Sequence, residues 1–276
     1  MTIHPAQFRA EGSIASLAPT VARLFAAPMP ALASEPPLAS VLGLHQRSLD
    51  GQPVERGLVF CPDALGVNTW RPGPPHWDAI GEYARLRIPL LSVVPPKTPV
   101  CFASIFTGGR PCDHGVVWPG RPVLKCDTLF DVLRRAGKRI AIVAVAHSSV
   151  DRLFRERDLD YFPEKYDGEV AERALGLIGQ DRHDLIVAYQ QEFDDLLHRN
   201  DPFSEVCVQA VAHHVRDFAA LARAARKAWA GRRHAIVFAP DHGGHVDPAT
   251  GRGDHGLDIP EDMHLFHWYG LHAART

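Results

Sequence analysis

The chain has 276 residues, 46% of them hydrophobic and 22% charged, and carries a formal net charge of −2 at pH 7. That is enough apolar material for one large core, and the charge lacks the basic excess with which proteins grip a nucleic-acid polymer. No stretch approaches the ~18 uninterrupted apolar residues of a membrane helix.

Met1 to Glu11 lacks the basic-then-apolar order of a secretory signal. Five cysteines (Cys61, Cys101, Cys112, Cys126 and Cys207) are odd in number and form no CxxC pair, so the expectation is reduced thiols and a cytoplasmic location. The first 56 residues are rich in Pro and Ala over 28–37 and show one clear helix over 13–25. They read as an arm packed on a single α/β domain of residues 57–276.

Short apolar runs then alternate with helical patterns. Residues 57–61, 139–145, 184–189 and 234–239 are apolar throughout except for Arg139, Asp184 and His234 at their starts, as strands covered on both faces of a parallel sheet must be. Helical periodicity fills 128–136, which Gly137 terminates, and then 168–178 and 203–230. Strand, helix, strand in repetition predicts a doubly wound α/β fold, its sheet mostly parallel and its helices on both faces.

In such sheets ligands collect beyond the carboxyl ends of the strands, and acids and histidines gather there in this sequence. Asp63 follows the first strand. Asp194 and His198 follow the third and, four apart on a helix, share a face that suits one cation. Asp241 and His242 follow the fourth, and a glycine-rich turn leads on to Asp254 and His255. Each group has a plainer reading: Asp63 as a helix N-cap, Asp194 and His198 as an exposed pair, the Asp-His-Gly segments as turns. Convergence of all of them on one sheet edge favours a centre of divalent metals, with His245 and Asp247 as lower-ranked ligands. Thr98 opens a helix-like run ending at Thr107 and Gly108. It is either that helix's N-cap or a nucleophile in the positive field of the helix terminus, where backbone amides receive a phosphate.

Taken in order, these motifs resemble the alkaline phosphatase superfamily, in particular its type I phosphodiesterase/nucleotide pyrophosphatase branch. Thr98 to Gly108 with Pro111, His114 and Gly115 is similar to the branch's nucleophile segment. Phe193-Asp194, His198 and Pro202 resemble its central motif, and Asp241-His242-Gly243 with His255-Gly256 its closing pair. The resemblance implies an alkaline phosphatase-like core without a large cap, and two divalent metal ions. One would be held by Asp194, His198 and His255, the other by Asp63, Asp241, His242 and the Thr98 oxygen. Three histidines favour zinc, and manganese stays open. The implied reaction is hydrolysis of a phosphate mono- or diester through a phospho-threonine at Thr98. A phosphonate hydrolase is the close alternative, and a non-catalytic binder of a phosphorylated ligand the remote one.

The chain departs from the branch at Cys101, where an asparagine commonly touches a phosphate oxygen. A thiol is a weak donor, so Lys97, beside Thr98, is expected to join Cys101 in contacting substrate. Phe193 and Asp201 replace a proline and a glycine. A sulfatase is disfavoured because neither Cys101 nor Cys112 stands in a Cys-x-Pro-x-Arg setting. Residues 13–25 resemble a helix that relatives carry after their last motif, and are expected to fill its place beside a strand near 264–269. Substrate, a small phosphorylated molecule, would be selected by loops around 70–77, 118–125 and 161–166.

Overall fold

The computed structural model of the chain describes residues 8–70, 77–120 and 122–275. Its elements in chain order are β1 (Gly12–Ser13), α1 (Leu17–Leu24), α2 (Ala39–Leu49), β2 (Arg56–Pro62), α3 (Asp78–Tyr83), β3 (Leu86–Leu91), α4 (Thr98–Thr107), α5 (Pro111–His114), α6 (Leu129–Arg135) and β4 (Ile140–Val145). They continue with α7 (Ser149–Leu153), β5 (Asp160–Glu164), α8 (Asp167–Gln180), β6 (Leu185–Gln190), α9 (Glu192–Leu197), α10 (Glu205–Ala228), β7 (His234–Phe238), β8 (His245–Val246), β9 (Gly253–Asp254), α11 (Pro260–Met263) and β10 (His264–His272).

Eight strands form one sheet in the order β1-β3-β10-β7-β2-β6-β4-β5, and β8 pairs with β9 in a small separate ribbon. Within the eight-stranded sheet only β10 runs against its neighbours, β3 and β7, and the other pairings are parallel. The fold is the doubly wound, mostly parallel α/β sheet expected from the apolar runs. β2, β4, β6 and β7 are buried along nearly their whole length because helices cover both faces.

Alternation along β2 divides the core. Val59 and Cys61 join one cluster with residues of α1, α2, α4, α6 and α7, and Leu58 and Phe60 join the other with α3, α8, α9 and α10. In the first cluster the rings of Phe106, Phe130 and Phe154 lie 4.7–5.2 Å apart. Each is fully buried, which is worth about 1.5–3 kcal/mol of transfer free energy. Among the described residues no helix is long and apolar enough to cross a membrane.

β3 alone separates β1 from β10, and Ile14, Leu17, Val21 and Leu24 share a buried cluster with Leu265, Tyr269 and Leu271 of β10. β1 docks parallel on β3 through Gly12 and Ser13, which pins the start of the segment at the outer edge of the sheet. From there α1 runs over α4 and α6, and α2 and α3 pack on β10.

Candidate metal centre

Parallel strands point their carboxyl ends at one edge, and the acids and imidazoles collect there. Asp63 is one residue past β2, with its amide still bonded to the Gln190 carbonyl at 2.9 Å, which extends the β2–β6 ladder. Ala64 then turns the chain at φ +62°, a left-handed conformation costing roughly 1–3 kcal/mol for a residue with a β-carbon. Its amide donates to Asp241 Oδ1 at 3.2 Å, so the bend is held by the next acid of the site. Past β7, Gly243 passes so close to Gly66 and the Glu261 carbonyl that no side chain fits. His255 follows β9, and Gly256 after it sits at φ +121°, a conformation that residues with a β-carbon rarely adopt.

Seven side chains converge in two groups. Asp194 Oδ1, His198 Nε2 and His255 Nε2 are separated by 3.5, 3.2 and 3.1 Å. In the second group His242 Nε2 lies 3.4 Å from Asp63 Oδ1, from Asp241 Oδ2 and from Thr98 Oγ1, and Thr98 Oγ1 is 3.5 Å from Asp63 Oδ1. The groups adjoin: Asp194 offers an oxygen within 4.8 Å of ligand atoms of Asp63 and His242, and the His242 and His255 rings stack at 4.1 Å. Donors on a tetrahedral ion with bonds of about 2.0–2.1 Å stand about 3.3–3.4 Å apart, which matches both groups.

Proton positions favour a cation as well. His242 Nδ1 lies 2.8 Å from the Gly243 carbonyl and His255 Nδ1 lies 3.0 Å from that of Pro96. A carbonyl only accepts, so each Nδ1 carries the hydrogen and, in the neutral ring, Nε2 turns a lone pair into the site. A lone pair aimed at carboxylates is repulsive unless a proton or a metal cation lies between them. Two buried oxygens in these groups, Asp194 Oδ1 and Asp241 Oδ2, also have no hydrogen-bond donor. The residues therefore fit a pair of divalent ions.

Electrostatics of the metal-free protein agree. Burial, reinforced by Asp241 and Asp194, pushes the Asp63 carboxyl well above its usual range. Burial and Asp194 raise Asp241 to about 7. Burial, with His255 adding to it, drives His242 well below the ordinary imidazole value. Asp194 goes the other way: burial raises it, but the neighbouring His255 outweighs that and holds it low. His255 is raised in turn, because Asp194 overcomes the effect of burial.

The plainer readings fail where the geometry bears on them. Asp63 precedes a turn and caps no helix, and Thr98 is the first residue of α4, whose N-cap is Lys97. His245 is engaged with Asp262 at 2.8 Å, and Asp247 accepts from Ala249 and Thr250 in an exposed turn. Of the residues expected at substrate, Lys97 donates its ammonium to the His255 carbonyl and lies 3.7 Å from Asp254. Cys101 is buried with its thiol 3.3 Å from Ser92 Oγ. In the loops expected to select substrate, Trp70 and Trp77 are buried and stacked at 3.8 Å, and residues 71–76 and 121 lie outside the described residues. Trp118 and Tyr166 are exposed.

Two supporting residues went unremarked in the sequence. Tyr189 donates its hydroxyl to Asp63 Oδ2 from inside β6. Asp262, fully buried, accepts from the amides of Gly256 and Leu257 at 2.8 and 2.9 Å and pairs with His245, while its carbonyl takes the Gly243 amide. The only sequence signal for Tyr189 is a polar tip at a strand's carboxyl end, and Asp262 has none.

No protein-family profile and no curated protein sequence matches the chain. Solved structures do. Phosphonoacetate hydrolase from Sinorhizobium meliloti, in complex with phosphonoformate, aligns with a TM-score of 0.52 at 18% identity over 72% of this chain and 59% of its own. Murine ectonucleotide pyrophosphatase/phosphodiesterase 5, in an inactive threonine-to-alanine form bound to AMP, aligns at 0.53 and 17% over 69% and 57%. A 2-O GAG sulfatase aligns at 0.56 and 14% over 80% and 64%. This chain thus spans less than two thirds of the length of each of them. The likeness is one of fold: the chain shares the mostly parallel α/β sheet of these structures.

Proposed function

We propose that this chain is a two-metal-dependent hydrolase of phosphate esters, mono- or diesters, with Thr98 as its nucleophile. The observation that carries the reading is the position of Thr98 Oγ1, 3.4–3.5 Å from His242 Nε2 and Asp63 Oδ1, on the first residue of a ten-residue helix. Asp194, His198 and His255 would hold one ion and Asp63, Asp241, His242 and Thr98 the other. Such ions supply positive charge against phosphoryl and leaving oxygens and make a bound hydroxyl or water more acidic. Zinc suits the three imidazoles best, and manganese is the alternative.

The chain's own part follows from its geometry. The free amides of the first turn of α4 receive phosphoryl oxygens, and the helix field favours their charge. The Thr98 oxygen forms a bond to phosphorus as the ester bond breaks and the alcohol leaves with a proton. Water then cleaves the phospho-threonine, giving phosphate from a monoester or a phosphomonoester from a diester, and restoring the hydroxyl. Cys101, with its thiol turned to Ser92, leaves binding of phosphate to these amides, and Lys97 serves by fixing the backbone at His255.

A phosphonate substrate is the second reading, supported by the likeness to phosphonoacetate hydrolase. Metal analysis, with turnover of p-nitrophenyl phosphate, its diester and a phosphonate panel, separates the two. Thr98→Ala is expected to keep the Asp194 site loaded and to lose activity by at least about a thousandfold. Equal turnover by parent and variant would remove Thr98 from its role.

A further inference from the structure

Asp194 and His198 are carried by α9, a helix of six residues without a cap of its own: the side chain of its N-cap residue, Gln191, accepts none of the helix amides. The first amides of a helix have no partner within it, and a helix this short is marginal by itself. Here the partners come from two other helices. Asp167, the first residue of α8, accepts from the amides of Gln191 at 3.1 Å and Glu192 at 2.8 Å. His214, inside α10, lies 3.3 Å from the amide of Phe193. The next residue is Asp194.

The bonds behind His214 fix its tautomer. Gln190, at the end of β6, donates its side-chain amide to the Asp167 carbonyl and to Asp217 Oδ2, each at 2.9 Å. Its Oε1 therefore faces His214 Nδ1, at 2.9 Å. An amide oxygen only accepts, so Nδ1 carries the hydrogen and Nε2 turns its lone pair to the Phe193 amide. Burial, with His213 adding to it, lowers the His214 imidazole to about 3, so the ring is neutral. Gln190 and His214 are fully buried and every polar atom of both side chains has a partner. A buried network satisfied in this way is rigid. The main chain of Gln190 belongs instead to the β2–β6 ladder beside Asp63, which does not depend on these side chains.

We propose that Asp167 and His214, braced by Gln190, are positioning residues that cap α9 from outside and so set Asp194 and His198 for the ion they share with His255. The inference rests on the two-ion reading and gives that ion a support separate from the one beneath Asp63.

Titration of the metal-free protein with Cd2+, followed by cadmium NMR, tests it. Two resonances are expected, and the one missing from His198→Ala marks the Asp194 site. His214→Leu should lower cadmium affinity there by about 10–100-fold. The Asp63 site should stay within about twofold of the parent. His214→Gln, which keeps an acceptor for the Phe193 amide, should recover most of the loss. If His214→Leu does not fold, Asp167→Asn, which turns one acceptor into a donor, provides the same comparison. Equal losses at both sites, or no loss at the Asp194 site, overturn the proposal. Amide exchange in the metal-free protein separates this outcome from failure of the metal reading. The α9 amides of the variant should exchange about tenfold faster than those of the parent, with β2 unchanged. If the parent binds no cadmium, the two-ion reading fails and exchange alone decides the capping role: faster α9 rates uphold it, and unchanged rates refute it.

Discussion

Tyr189 secures Asp63 from inside the sheet. Its hydroxyl, kept protonated by burial and by the adjacent Asp63 charge, is a donor aimed at the carboxylate oxygen that turns away from His242. Tyr189→Phe keeps the ring and deletes that donor, so a buried carboxylate oxygen loses its bond. The expected cost is about 1–3 kcal/mol of stability, read from urea unfolding. A carboxylate without its supporting donor is also a poorer ligand, and affinity at the Asp63 site should fall by about 10–100-fold in competition with a chelating dye. Unchanged affinity would mean that Asp63 is held by β2 and β6 alone.

At the level of elements, Asp262 binds the two ligand-bearing loops together. Its side chain grips Gly256 and Leu257, just beyond His255, and its carbonyl grips Gly243, just beyond His242. Asp262→Ala removes both the oxygen that serves the two backbone amides and the one that pairs with His245. A loss of about 1–3 kcal/mol follows, with weaker metal binding. Asp247→Asn, in the exposed turn between β8 and β9, should stay within about 0.5 kcal/mol of the parent in the same unfolding assay. If both variants match the parent, the ribbon is set by β8–β9 pairing and not by Asp262. The elements also show what sequence can reveal. β2, β4, β6 and β7 were legible because unbroken apolar runs are what a covered strand requires. β3 and β5 were hidden by Arg87, Pro89 and Pro163, and β5 tolerates its proline because it lies at the edge of the sheet. Asp63, Asp194, His198, Asp241, His242 and His255 could be named because α/β strand ends gather ligands. Asp262 could not, since its value lies in backbone amides that share no pattern with it in sequence.

Across the whole molecule, the two candidate ion sites draw on residues from 63 to 255, so they exist only in the folded state and any ion they bind stabilises folding. The pH dependence of that stabilisation follows from the shifted groups. In the metal-free protein Asp63 and Asp241 have raised values, the second about 7. Between the ordinary carboxylate value near 3.9 and about 7, the folded state therefore holds more protons on them than the unfolded chain does. The Asp241 contribution is full below about pH 4 and is lost as pH rises through about 7, and Asp63 acts in the same direction. The raised His255 adds the same trend at higher pH. His242 opposes it, since a depressed imidazole favours the folded state increasingly as pH rises toward 6.5. Bound ions displace the protons from Asp63, Asp241 and His255, so the metal-loaded form gains where the metal-free form loses. Asp167, raised by burial to about 7 away from both ion sites, contributes equally to the two forms and cancels in their difference. The melting-temperature gap between zinc-loaded and chelator-treated protein should accordingly widen from pH 5 to pH 8, with protons released on zinc addition. A gap that is constant or narrows over that range would mean that the buried carboxylates of this sheet edge do not bind metal.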